Sequence, residues 1–287
     1  MNNNKKESLI LGFMKRYCRN KLAVAGFFTL LTIAVVVIAV PPFLPFSEAD
    51  IDILSFNMPP GGSHPLGVDD VGRDILSRLL YGGRISLFVG IISTFISVVI
   101  GIPLGLISAF YRGIFEVMVM RLSDIFMSFP STILILFLVS MFGPSIITVT
   151  VVIGVLGWPK FARQIYGTVL SVREKDYIEG AVAIGAKDIR IITRYILPNA
   201  IAPIFISITF RIASAIILES SLSFLGMGVQ PPAASWGNML YNAQSITVLT
   251  SRPWIWVPPG LALVVTILAI NFIGNGLRDA LDPKTKF

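Results

Sequence analysis

The stretch Asp176–Pro198, DYIEGAVAIGAKDIRIITRYILP, decides how the rest of the chain is read. It is the longest polar-bearing interruption in the second half of a very apolar sequence. Asp176 and Glu179 have the spacing of a capping box at a helix start. Gly185 falls where a short helix would end, because glycine takes the left-handed C-cap conformation at little cost. Beyond it, Ile189, Ile192 and Ile196 are spaced three and four apart on one helical face, with Lys187, Arg190 and Arg194 mostly off it. Pro198 predicts a break or kink at the entry to the next apolar run. The reading is two short helices and a turn at a membrane surface. Such a knuckle is rigid enough to take a push and small enough to fit a groove on another protein.

Composition sets the context. The chain has 287 residues, a mean hydropathy of +0.80 and only 14% charged residues. That is a polytopic membrane protein, with room for about six spans of ~20 residues. The net charge of +7 is accounted for by Lys and Arg flanking the spans, not by nucleic-acid binding. Cys18 is the single cysteine, so no intrachain disulfide can form, and a free thiol is expected. His64 is the single histidine and precedes Pro65 in a polar segment, where a solvated side chain is expected. No metal site can be built from these two residues. No G-x-x-x-x-G-K-[ST] loop and no Ser-His-Asp arrangement is present, so hydrolysis of ATP or of a substrate is not expected of this chain, and it holds no cofactor.

In order, residues 1–21 form a basic segment and 22–40 a first span. A signal peptide is the competing reading, but its apolar core is usually only ~7–15 residues, and Pro41-Pro42 stands where a small-residue cleavage site would be. Residues 41–83 form an outer segment. Within it, Val71, Ile75 and Leu79 follow Asp69-Asp70 and predict a short amphipathic helix ended by Gly82-Gly83. Residues 84–277 hold five further spans, near 85–109, 117–142, 146–165, 200–220 and 257–274. Gly90, Gly101 and Gly105 in the second span predict close helix packing, and Pro103 a kink. The inner loop occupies 166–199 and a second outer segment 221–255, where Trp254 and Trp256 fit an interfacial belt. Residues 278–287 are a basic tail. The fold class is all-α with six transmembrane helices. Arg73, Arg78, Arg84 and Arg252 fall outside and nearly every other Lys or Arg inside, which predicts both termini in the cytoplasm.

The knuckle also resembles the EAA cytoplasmic loop of ABC-importer permeases, whose pattern is Glu-Ala-Ala, a Gly four residues beyond the second Ala, then Leu-Pro. Here the matching residues are Glu179, Gly180, Ala181, Gly185, Leu197 and Pro198, with Gly180 in place of the first Ala. Two further strings, HPLGVDDVGRDILSRLLYGGRISL (His64–Leu87) and LESSLSFLGMGVQPPAASWGNML (Leu218–Leu240), resemble the C-type permease of dipeptide, oligopeptide and nickel importers. The resemblance implies a type I ABC importer fold in the bacterial cytoplasmic membrane. It implies a B-type permease partner, two cytosolic ATPases that use ATP and magnesium, and an extracytoplasmic substrate-binding protein. Asp176, Glu179, Gly180, Ala181 and Gly185 would contact the ATPase, and Leu197 and Pro198 would set the entry to the fifth span. The expected solute is a di- or oligopeptide, the alternative a nickel or metal chelate. An ion-coupled secondary transporter would leave the EAA pattern unexplained and predicts internal repeats, which the sequence does not show.

Asp124, Arg211 and Glu219 are ionisable residues in or near apolar spans. Each should face a partner or a water-filled path. They line the translocation pathway and meet a peptide's charged ends, or they form an interhelical ion pair such as Asp124 with Arg211.

Overall fold

The computed structural model describes residues 12 and 14–281; Lys5, Lys6, Lys284 and Lys286, read above as inner-side cations, lie outside them. In chain order the named helices are α1 (Lys21–Ala39), α2 (Ile75–Tyr111), α3 (Gly113–Ser128), α4 (Ser131–Phe142), α5 (Ile146–Val155), α6 (Trp158–Arg173), α7 (Asp176–Ala183), α8 (Asp188–Ile191), α9 (Leu197–Phe224), α10 (Trp236–Tyr241), α11 (Ile246–Ser251) and α12 (Pro253–Leu281). Among the described residues there are two isolated β-bridges and no strand. Among the described residues five spans are long and apolar enough to cross a bilayer, and six when the bent pair α3–α4 counts as one. The all-α, six-span expectation therefore stands.

Helix α2 is the central post, packed along α5, α6 and α9, while α1 lies against α12. Its start corrects the sequence reading. Asp74 is the N-cap, accepting from the Ser77 N–H at 2.7 Å, and the helix runs without interruption through Gly82-Gly83. Those glycines serve packing, not termination: a Cβ on Gly83 would lie 2.6 Å from Val37 and 2.9 Å from Trp236. A Cβ on Gly101 would likewise sit 2.6 Å from the Trp158 carbonyl, so α2 and α6 touch backbone to backbone, as the glycine pattern predicted.

The third and fourth spans are not single rods. α3 and α4 meet at 88° around Phe129-Pro130. Proline restricts the residue before it to extended backbone, and Phe129 has ψ 141. α5 gives way to α6 at Leu156-Gly157, and α6 continues to Arg173, well past the expected end near Ile165. Cations close two helix ends by donating to carbonyls the ladder leaves free. Arg84 bonds the Val37 and Ile38 carbonyls at 2.6 and 2.7 Å, and Arg173 bonds Phe110 at 2.7 Å.

The segments opposite the knuckle fold over the bundle end. His64, expected to be solvated, is buried at 1% exposure. Its Nδ1 lies 2.9 Å from the Asp74 carboxylate and its ring stacks on Phe46 with centroids 4.7 Å apart. Asp74 thus uses one oxygen to cap α2 and the other to hold the imidazole. After α9 the chain returns through α10, where Ser235 and Asn238 form a capping box.

Candidate coupling knuckle and intramembrane charges

Residues 174–198 build the knuckle as a sequence of small local decisions. Lys175 is the N-cap of α7 and no side chain caps the helix. Asp176 is therefore its first helical residue, and the expected capping box with Glu179 does not form. Both carboxylates sit in the first turn, where they complement the positive end of the helix dipole, and both are exposed. Gly185 does end the helix as predicted. Its φ is +73°, its N–H bonds the Val182 carbonyl at 2.9 Å, and the Ala186 N–H bonds Ala181 at 3.0 Å. These are the two hydrogen bonds of a Schellman turn. Gly180 is exposed, helical and free of neighbours within 4 Å of its missing Cβ.

The second half keeps part of the predicted face: Ile192 and Ile196 pack on the core and Ile189 does not. α8 runs into a π-helical turn, Ile192–Ile196, and then directly into α9. Ile191 and Ile196 are buried at 1% and 0%, whereas Ile189 is 65% exposed. A π turn widens the helix to i→i+5 bonding, so residues five apart share a face that a 3.6-residue period cannot produce. Pro198 does not break the chain. It lies in the first turn of α9, where the π ladder hands over to α and a missing N–H is tolerated. Leu197 is half-buried beside it.

Packing fixes this unit to the bundle. Ile178, Ile191 and Ile196 share one apolar core with Val169 and Val172 of α6, Ala109 of α2, and Ala200 and Ile204 of α9. Val182, Ile184 and Ile189 point the other way, with Ile184 85% exposed. That outward apolar surface stands among Asp176, Glu179, Lys187 and Arg190, all exposed. The knuckle is thus anchored on one side and unpartnered on the other.

The three intramembrane charges do not meet. Asp124 pairs with Arg163, both about half exposed, and not with Arg211. Arg211 reaches the end of α5, where one Nη donates to the Ile153 carbonyl at 2.8 Å. Glu219 is fully buried and accepts from the hydroxyls of Ser86 at 3.1 Å and Ser223 at 2.7 Å. Ser86 in turn accepts from the Trp236 N–H at 3.2 Å, so Glu219 ties α2, α9 and α10 together. Lys160, read in the sequence only as a flanking cation, lines a cleft with Arg211. The signal that could have flagged it is Gly157-Trp158-Pro159, which interrupts an apolar run just before it.

Comparison with known proteins accords with this geometry. The family model described as binding-protein-dependent transport system inner membrane component matches residues 101–287. The model described as the N-terminal TM domain of oligopeptide transport permease C matches residues 8–60. A Brucella ovis protein named putative peptide permease is 42% identical over 271 residues, covering 94% of this chain and 90% of its own length. The Pectobacterium atrosepticum glutathione transport system permease protein GsiD is 41% identical over 276 residues, covering 96% and 91%. The fold is similar to a chain of the inward-facing MetNI methionine ABC transporter, with a TM-score of 0.60 at 20% identity over 72% of this chain and 98% of that one. The chain belongs to the inner membrane components of binding-protein-dependent transport systems, as a C-type permease subunit of an ABC importer.

Proposed function

We propose that this subunit forms half of the pathway of a peptide importer and takes its drive from a cytosolic ATPase through the knuckle. The observation that carries the coupling role is the division of the knuckle's surface. Ile178, Ile191 and Ile196 bolt it to three long helices, while Val182, Ile184 and Ile189 offer an apolar patch rimmed by charge. An exposed apolar patch with a polar rim is the signature of a docking surface. The ATPase, with ATP and magnesium, would grip that patch differently in its two states, as any transmitted movement requires. The peptide assignment is supported by the relatives named above, a putative peptide permease and a glutathione transport permease. The remaining parts of the machine are a B-type permease, a second ATPase and an extracytoplasmic binding protein, in the cytoplasmic membrane of a bacterium with both termini inside.

A gentle detergent pull-down should recover the second permease and the ATPase subunits. Glu179→Lys should then abolish ATP-driven peptide uptake while the chain stays inserted and bound to its permease partner. Normal uptake by Glu179→Lys at normal subunit levels would remove the coupling role from Glu179. A chain that purifies alone and moves solute on an ion gradient would overturn the importer reading.

A further inference from the structure

Two adjoining clefts, of about 290 and 250 Å³, open between α6 and α9, and the first also reaches the end of α5 and the start of α4. Both are lined by Lys160, Arg211 and Ser214, and neither is lined by an Asp or Glu. The two cations are held in different ways. Lys160 is exposed and makes no ion pair among the described residues. Arg211 is seated: Gly157 leaves the space its guanidinium fills, and the Ile153 carbonyl at the end of α5 accepts from one Nη at 2.8 Å. Its Nε remains buried and without a partner.

The nearby carboxylates are committed elsewhere. Asp124 is engaged by Arg163 on another face, and Glu219 is enclosed by serine hydroxyls. Two like charges therefore line one cleft with no carboxylate in its walls, and the more buried of them, Arg211, keeps an unpartnered Nε. Such an arrangement is costly in an apolar bundle and is relieved when an anion arrives. A guanidinium presents a planar fork that matches a carboxylate, and an ammonium adds a point charge on a flexible stem. The hydroxyl of Ser131, in the same lining, can donate to a carboxylate oxygen, whereas that of Ser214 already donates to the Phe210 carbonyl at 2.9 Å.

We propose that Lys160 and Arg211 form a subsite that holds the free C-terminal carboxylate of a peptide during its passage between the helices. This rests on the peptide-importer reading above and adds the part of the solute that the subunit recognises. The test uses the complete importer in liposomes, with its second permease, ATPases and binding protein. Uptake of a labelled short peptide is compared with that of its C-terminal amide, each loaded to equal occupancy on the binding protein. The binding protein is common to all variants, so a change in the carboxylate-to-amide ratio reports on the permease alone.

Lys160→Gln and Arg211→Gln should each lower that ratio roughly tenfold, the effect of losing one charge-assisted hydrogen bond. Arg211→Lys should fall between, since it keeps the charge and loses the fork. An unchanged ratio in Lys160→Gln, whose exposed side chain has no folding role to lose, would overturn the subsite. So would loss of the second permease from Lys160→Gln and Arg211→Gln complexes, because the cations would then be pairing with an acid on that subunit. Wild-type liposomes that import neither peptide on ATP would instead defeat the importer reading itself, and the subsite with it.

Discussion

Two glycines five positions apart in the knuckle should respond to the same substitution with opposite signs. Gly180 is helical, exposed and unhindered, so Gly180→Ala adds no contact and removes only backbone freedom from the unfolded segment. The gain is about 0.5–1 kcal/mol of local helix stability. Gly185 is equally unhindered, with nothing within 4 Å of the point a Cβ would occupy, but its φ is +73°. Gly185→Ala therefore costs about 1–2 kcal/mol from the left-handed backbone alone. Amide hydrogen exchange of residues 177–184 in the purified importer reads this directly, since local opening is governed by the free energy of that turn. Exchange should slow about two- to fivefold in Gly180→Ala and quicken about five- to thirtyfold in Gly185→Ala. Gly180→Ala also restores the Glu-Ala-Ala pattern, so uptake should be retained. Acceleration by both substitutions, or silence at Gly185, would refute the Schellman turn as the element that fixes the knuckle's shape.

Three further outcomes follow from the packing. Ile191→Ala should cost about 2–5 kcal/mol as a buried truncation, while Ile189→Ala stays within about 0.5 kcal/mol; thermal unfolding in detergent separates them. Gly101→Ala drives a methyl against the Trp158 carbonyl and should lower stability by about 1–3 kcal/mol in the same assay. The Asp52 carboxyl is held below the usual carboxylate range, first by the Ser55 hydroxyl and the Leu54 N–H and last by His64. A depressed folded-state pKa stabilises above the unfolded value, so this contribution is complete at neutral pH and is lost as pH falls below about 4. Protease resistance of the 41–74 segment should drop in that window in the wild type and show a smaller drop in Asp52→Asn, which lacks the titrating group.

What the sequence made legible was what depends on local chemistry. Long apolar runs announced the spans, and Gly185 announced its turn, because each signal is carried by neighbouring residues. The misreadings arose where distant contacts decide. Gly82-Gly83 looked like a stop because a pair of glycines usually is one; in the fold Gly82 admits the Ala234-Ser235 backbone and Gly83 admits Val37 and Trp236. His64 looked solvated because its burial depends on Phe46 and Asp74, brought together only by the folded segment. Ile189 was wrongly placed on the buried face and Ile191 left off it because a π turn shifts register, invisible to a 3.6-residue template, whereas Ile192 and Ile196 do pack on the core. The break at Phe129-Pro130 was readable, since proline restricts the residue before it and Ser128, Ser131 and Thr132 flank it, but the apolar stretches on either side were joined into one span. At the candidate sites, the knuckle residues were identifiable from their pattern, whereas Lys160 entered only through its proximity to Arg211.

The placement of these features gives the knuckle and the cleft a common mechanical frame. α6 enters the knuckle and carries Lys160; α9 leaves it and carries Arg211. At 1.5 Å per residue, Lys160 stands about 20 Å from the Arg173 end of α6, and Arg211 about 21 Å from the Leu197 end of α9. The two cations are thus at nearly equal distance from the loop, on the two helices that the loop joins. The shared apolar core of Val169, Val172, Ile178, Ile191, Ile196 and Ala200 binds the knuckle ends of those helices into one body. On the coupling proposed above, a push on that body would reach both helices at their knuckle ends, and the cleft lies farther along the same two helices. Arg211 also touches the Ile153 carbonyl at the α5–α6 turn, so any tilt of α9 against that turn alters how the guanidinium is held. Import requires that a solute be held in one state and released in the other. The proposed carboxylate subsite, with its two cations on the two helices that the knuckle joins, would meet that requirement without a separate gate.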